Sequence, residues 1–472
     1  MTLKAFERKA RFLFWVSRGF VLRHFLKFIL IVGVGLAVFF LFNKTAGFKK
    51  LTTPSHQEAI IGRYHPDKLP DRVLVSLSQG LTKIDQQGRV QGDLAKSWEV
   101  KDGGKVFVFH LGDNLTWNDG TPIVSSDLNI AFDNIKITYP DKNSIQFELT
   151  DPFAPFPGLL SKPVFNKKTN LGTGIYKLNK TRIAKDGYLE TLDLVATRSG
   201  LPNIKFKFYP NKDQAILALK MGEVDGIADC QCAGDFANWP NIASFKSTDF
   251  GKFVAVFFNT QDILLSNKEI RQSLAFATKK DNLPGSRAVG PIPQNSIYFN
   301  PNLKSYDYNL EKAKELIKDL PKEQRVVTLK TLPSFENLAK SIASDWQQLD
   351  FTVKVEVSEN LDNNFQALVA GQQFSPDPDQ YTLWHSTQEK TNITKIKHPK
   401  IDKLLEDGRK TVDEEKRKEI YFDLQKTLVD ETPAIFLYHP DSIYVTKKKT
   451  EDNLKKINGV LQNFWPFESK QS

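Results

Sequence analysis

At 472 residues with 40% hydrophobic content, the chain can build a large interior and is too long for a single hydrophobic core, so two or more lobes are expected. A formal net charge of +10 would suit nucleic acid or a membrane surface. Ten Lys or Arg against the single acid Glu7 place +9 of that charge in residues 1–50, so the rest is close to neutral and the case for nucleic acid is removed.

The first predicted element is the uncharged run FILIVGVGLAVFFLF, 28–42, which Phe25 and Leu26 lengthen across Lys27. At ~1.5 Å rise per residue such a helix just crosses a ~30 Å hydrocarbon core. Seven basic residues precede it and three come after it. The positive-inside rule then makes 1–24 a cytoplasmic basic segment, 25–43 a transmembrane signal anchor, and the rest extracellular or periplasmic. RFLFWVSRGFVLRHF, 11–25, with aromatics among arginines, reads as an interfacial helix. LFNKTAGF is a poor cleavage site and no cysteine stands after the apolar run, so an uncleaved anchor is favoured over a signal peptide or a lipid anchor.

From residue 73 strand-like runs dominate: VLVSL (73–77), KVFVFHL (105–111), SIQFELT (144–150), GIYKL (174–178) and IKFKFYP (204–210). Between them SSDLNIAFDNI predicts a helix capped by Ser125 or Ser126, and DQAILALKMGE one closed by Gly222. The two cysteines, Cys230 and Cys232, stand at i, i+2, usually too far apart for an unstrained bridge, and read as two small half-buried side chains, with a strained disulfide outside the cell as the alternative. KFVAVFFNT, 252–260, is an almost wholly apolar strand. Helices are then expected after Asn309 and after Ser334, a strand in FTVKVEV (351–357), and two helices in 399–431 broken near Thr411, with Leu404, Leu405, Ile420, Tyr421, Leu424 and Leu428 on their apolar faces. PAIFLYHPDSIYV returns to strand, and KKKTEDNLKK reads as a lysine-rich turn.

Catalytic motifs are few. No H-E-x-x-H, G-x-S-x-G or G-x-x-x-x-G-K-[ST] occurs, and DNLTWNDGTP reads as a turn on Asp119-Gly120. FSPDPDQYTLWHS, 374–386, concentrates acids, a tryptophan and a histidine. Pro378 separates Asp377 from Asp379 and pushes Asp377 toward an extended backbone, which spoils a two-carboxylate acid/base pair. Adjacent His385 and Ser386 would face opposite ways on a strand, and metal ligation by Asp377, Asp379 and His385 stays open. The aromatic and amide side chains Gln372, Gln373, Phe374, Tyr381 and Trp384 suit a binding cleft.

Read in order, several stretches resemble the extracellular solute-binding proteins of the peptide and nickel uptake family, family 5. They are SQGLTKIDQQGRVQGDLAKSWEVKDGGKVFVFHLGDNLTWNDGTPIVSSDLNIAF (78–132), GTGIYKL, FFNT with IRQSLAFAT, YDYNLEKAKELI, the Asp-Pro loop, the helices after 401 and PAIFLY. The likeness spans about 60–445. It implies an α/β, two-lobed periplasmic-binding-protein-like fold (type II, cluster C), preceded by the transmembrane helix. Lobe 1 would be 51–252 plus 435–472 with a small inserted domain at about 82–170, and lobe 2 would be 253–434.

It further implies a non-enzymatic receptor, without cofactor or bound metal, that captures an oligopeptide or similar extended solute and delivers it to ABC transporter permease subunits. The alternatives are a membrane-tethered sensory ectodomain, or a binder of an oligosaccharide or metal chelate. The implied ligand contacts are Gln372, Gln373, Phe374, Asp377, Asp379, Trp384 and Tyr438. In peptide-binding members an aspartate three residues before the acidic-Pro pair holds the ligand's α-ammonium, and that offset falls here on Phe374, so that either Asp377 or Asp379 takes over the role or the ligand presents no free amine there. Arg409, Glu415 and Arg417 read as helix-surface charges on scaffold.

Overall fold

In Asn203–Tyr209 the side chains of Ile204, Phe206 and Phe208 are buried and their neighbours less so, the period of two expected of a strand covered on one face. Lys252–Phe258, by contrast, is buried at six consecutive positions, as a strand covered on both faces must be. The computed structural model describes residues 15, 24, 25, 27, 29–35, 54–230, 232–360 and 364–458. The chain divides into two bodies, residues 1–55 and 56–472, of which the second carries the sheets and the helices packed on them. Most of the interfacial stretch 11–25 and residues 26, 28 and 36–43 of the expected anchor lie outside the described residues. Among those described, no helix is long and apolar enough to cross a membrane.

The strands, in chain order, begin with β1 (Ser55–Ile61), the hairpin β2 (Thr82–Ile84) and β3 (Val90–Gly92), and a four-stranded group of β4 (Ala95–Lys101), β5 (Val106–Leu111), β6 (Lys136–Asp141) and β7 (Ser144–Glu148). Next come β8 (Tyr176–Ile183), β9 (Leu189–Ala196), β10 (Asn203–Tyr209), β11 (Gly226–Ile227), β12 (Ile242–Thr248) and β13 (Lys252–Phe258). The remainder are β14 (Gly285–Arg287), β15 (Val326–Thr331), β16 (Thr352–Val357), β17 (Ala367–Gln373) and β18 (Ala434–Lys447). One sheet runs β16-β15-β17-β13-β18-β11-β1-β10-β9-β8, with β12 and β14 also on β18.

The 14-residue β18 joins two half-sheets. Its first part pairs with β13 and β14, and Asp441–Lys447 pairs with β12 and β11. The core shows the same division. One cluster, from Phe253 to Tyr438, packs around β13, β17 and Trp346, and two others form around β1, β10 and Tyr444 and around Ala215, Leu219 and Phe236. A separate core of Phe107, Phe109, Phe147 and Phe156 fills the four-stranded group.

The helices are α1 (Asp71–Leu77), α2 (Phe156–Leu159), α3 (Lys212–Met221), α4 (Lys268–Ala277), α5 (Leu310–Leu316), α6 (Glu336–Gln347), α7 (Tyr381–Trp384), α8 (Pro399–Lys410), α9 (Glu414–Glu431) and α10 (Glu451–Asn458). Asn309 caps α5 by accepting from Lys312 N, Gly222 ends α3 at φ +83°, and α8 stops before Thr411, all as expected. Gly120 turns at φ +88° beside Asp119, as its dipeptide indicated.

Five local expectations are corrected. VLVSL is helical, within α1: Val73, Ser76 and Leu77 fall on one buried face, and five apolar residues are too few to separate the two periods. SSDLNIAFDNI is not an α-helix. After a single 3-10 turn at Ser125–Asp127, Leu128 bridges Asn166 and Asn129 N donates to Phe165 O, so tertiary pairing overrides the capping pattern. Ser334 lies inside the 3-10 turn Pro333–Phe335 and α6 starts from Phe335 without a side-chain cap. KKKTEDNLKK turns into α10, with Glu451 and Asp452 in its first turn and Lys455 and Lys456 in its last, favourable to the helix dipole. Cys230 and Cys232 are disulfide-bonded and fully buried, with Cα atoms 5.1 Å apart, close enough to bridge.

Candidate functional site

The β17 strand leaves the sheet at Gln373, and Phe374 N donates to Gly251 O at 3.1 Å, which ties this exit to the β12–β13 turn. Side by side across the sheet lie Gly371, Val254, Tyr438 and Arg287. Next to them, Gln373 pairs with Lys252, whose carbonyl accepts from His439 Nδ1 at 2.8 Å. The Asp-Pro loop thus begins where β18 passes between the half-sheets.

Short-range chemistry shapes the loop. Asp377 Oδ1 accepts from Asp379 N at 2.9 Å, and Asp379 Oδ1 from Tyr381 N at 3.1 Å, two successive Asx turns that lead into α7. Long-range chemistry holds it. Arg417, on α9, donates from Nη1 and Nη2 to the two oxygens of Asp377 at 2.9 and 2.7 Å, and its Nε donates to Gly408 O. Arg417 is 5% and Asp377 8% exposed. Burial pulls the guanidinium down, but Asp377 outweighs it and holds Arg417 above its already high ordinary value. Arg409, on α8, donates from Nε to Asp379 Oδ2 at 2.9 Å and lies over the rings of Tyr381 and Phe153.

The reading of Arg417 and Arg409 as surface charges is therefore corrected: sequence spacing puts them on helices, but only packing shows that the helices turn these side chains toward the loop. The signal available in the sequence was two acids in one loop and two arginines in a later helical pair, without anything to match them.

Of the candidate contacts, Gln372, Gln373 and Phe374 stand together at the strand exit, Gln373 exposed and the other two half-buried. The Phe374 ring lies 5.7 Å from that of Phe253, which is 5.3 Å from Phe436. Asp377 and Asp379 follow this exit in the chain, each already paired with an arginine. Trp384 is 1% exposed, donates from Nε1 to Gln380 Oε1 at 2.7 Å and meets Phe436 edge-on, which makes it part of the interior. Tyr438 is also buried, and burial, with Asp441 nearby, raises its phenol. His385 faces Glu406 and Thr387, and among the described residues no three His, Cys, Asp or Glu side chains converge on a metal position.

The other half of the molecule reaches this loop. Asp85 braces the β2–β3 turn by accepting from the backbone of Gln87 and Arg89. At that turn Gln86 O accepts from Asn295 Nδ2 at 2.5 Å and Gln87 O from Ile297 N at 3.1 Å. Gly88, at φ +80°, passes so near Pro376 O that a Cβ there would lie 2.9 Å from it. From the four-stranded group's side, Ala154 N donates to Arg409 O at 2.7 Å.

Two half-sheets with separate cores, joined by strands that cross between them and touching again at a loop, define a two-lobed α/β binding protein of the periplasmic type. A family model for the bacterial extracellular solute-binding proteins, family 5 Middle, matches residues 89–393. The chain belongs to that family. It is 23% identical over 441 residues to the oligopeptide-binding protein AppA of Bacillus subtilis, covering 77% of this chain and 80% of AppA. Similar solved structures include NikZ from Campylobacter jejuni in complex with Ni(L-His), with a TM-score of 0.67, 22% identity, and 84% of this chain and 94% of NikZ covered. Another is AppA of Bacillus subtilis in complex with a nonapeptide, with a TM-score of 0.62, 19% identity, and the same coverage.

Proposed function

We propose that this chain is an extracellular receptor that captures an oligopeptide or similar extended solute between its lobes and delivers it to the permease subunits of an ABC importer. The observation that carries this reading is the family match across 89–393 together with the β18 crossing, because a hinge of crossing strands lets a ligand that touches both lobes stabilise the closed form. The lobes are taken as 51–252 plus 435–472, with the insert at about 82–170, and 253–434. Gln372, Gln373, Phe374 and Tyr438 form the ligand wall in this reading, while Asp377, Asp379 and Trp384 fix its shape from behind. The oligopeptide-binding description of AppA favours a peptide as the solute in this reading.

Heating the purified chain with and without peptide pools tests this: a rise in melting temperature is expected with peptides, and a rise with an oligosaccharide alone would overturn it. Residues 25–43 are proposed to anchor the chain, with 1–24 cytoplasmic. Extraction from membranes should then need detergent, and release of the intact chain by a salt wash would count against the anchor. Co-purification with permease subunits separates transport from a purely sensory role.

A further inference from the structure

We infer that a cavity beside the start of β18 binds a small monovalent anion of halide size, held by Arg287 in the field of Lys280. The site is separate from the solute-binding reading above and does not depend on it.

From Ala434 to Leu437 β18 has a strand partner on one side only, β13, because β14 pairs from Tyr438 onward and β11 at Val445 and Thr446. Arg287 covers the carbonyls on the bare side. Its Nη1 donates to Phe436 O at 2.6 Å, to Leu437 O at 3.1 Å and to Ala288 O. Lys280 Nζ donates to Ala275 O at 2.6 Å, Thr278 O at 2.8 Å and Tyr306 O at 2.5 Å. Both cations line a cavity of ≈ 10 Å³, walled by the buried side chains of Ala275, Val429 and Ile435, with room for about one small particle.

Carbonyl dipoles solvate a cation without neutralising it, so two like charges share this space. Among the described residues neither cation has a carboxylate within ion-pair distance. The acids whose field reaches them are engaged or face water. Asp345 accepts from Lys279 N at 2.9 Å and faces Lys279 Nζ at 3.5 Å, Asp307 accepts from Ser305 Oγ, and Asp281 is exposed. Burial, with Arg287 nearby, pulls Lys280 down to about 7, and burial pulls Arg287 down to about 10.

An anion in the cavity would offset both charges at once, because a buried charge without a counter-charge is strongly disfavoured. Donors are available for it. The three of Lys280 are all used, but the guanidinium spends only Nη1 on protein acceptors among the described residues, which leaves Nε and Nη2 for charge-assisted hydrogen bonds. A halide fits the cavity, whereas a tetrahedral oxyanion exceeds it.

The experiment melts the full chain in detergent, in sodium chloride and in sodium gluconate at equal ionic strength, gluconate being too large for the cavity. Chloride is expected to raise the melting temperature by about 2 °C or more over gluconate, and Arg287→Gln to abolish the difference. No difference in the unaltered chain, or one that survives in folded Arg287→Gln, would overturn the inference. Crystals of the unaltered chain soaked in sodium bromide locate the ion without any variant. An anomalous peak within hydrogen-bond reach of the Arg287 guanidinium is expected, and bromide found only elsewhere, or nowhere, would overturn the site.

Discussion

Arg417 and Asp377 depend on each other in the folded chain, because each would be an isolated buried charge without the other. Arg417→Met should therefore destabilise the protein by about 3–5 kcal/mol in urea unfolding, and Asp377→Leu by a similar amount. The double variant should recover much of the loss, since it removes both charges, and a simple sum of the two single losses would show that the pair does not act as a unit. Glu58 offers a test of another kind. Burial pushes its carboxyl from an ordinary 4.5 up to about 8, against the pull of Arg72. Between those values the folded chain keeps a proton that the unfolded chain has released, so this residue's contribution makes stability fall as pH rises, by at most about 1.4 kcal/mol per pH unit. The difference in unfolding free energy between the parent and Glu58→Gln, tracked from pH 6.5 to 8, isolates that slope. A difference independent of pH would mean that Glu58 is ionised throughout.

At the scale of elements, local rules governed the ends more reliably than the middles. Asn309 and Gly222 act where the sequence indicated, because a side-chain acceptor at a helix start and a left-handed residue at its end satisfy groups only a few residues away. Asn309→Ala should weaken the protein by about 1 kcal/mol in the same unfolding assay, whereas removal of Ser334, which caps nothing, should leave stability within about 0.5 kcal/mol. Short segments were less legible. VLVSL and SSDLNIAFDNI both departed from their expected states because runs of five and eleven residues carry too few periods to outweigh what packs on them. For the first, Val73 and Leu77 join the core around β1 and β10, and for the second a bridge to Asn166 holds the chain extended.

For the whole molecule, the contacts that matter are those between stretches far apart in the chain that meet beside the Asp-Pro loop. The β2–β3 turn bonded to Asn295 and Ile297, the Gly88 approach to Pro376, and Arg409 set between Phe153, Tyr381 and Asp379 tie residues 86–153 to residues 295–409 beside the Asp-Pro loop. Arg409→Gln should loosen that junction. Small-angle scattering of the unliganded variant is expected to show a larger radius of gyration than the parent, and peptide should dissociate faster, because the closed form loses contacts that the open form never had. An unchanged radius and an unchanged dissociation rate would assign Arg409 to local packing alone.

The sequence by itself determined the strand-rich α/β character, the continuous apolar strand at 252–260, the capped and broken helices after 309, and the family resemblance that the match over 89–393 supports. Those are properties of periodicity and of neighbours in the chain. Only the tertiary structure decided the partners of the Asp-Pro loop. The carboxylate of Asp377 meets a guanidinium 40 residues away in the chain, and that of Asp379 one 30 residues away. No local pattern specifies such distances, since charges pair through space, and burial, which makes the pairing obligatory, exists only once the lobe has folded.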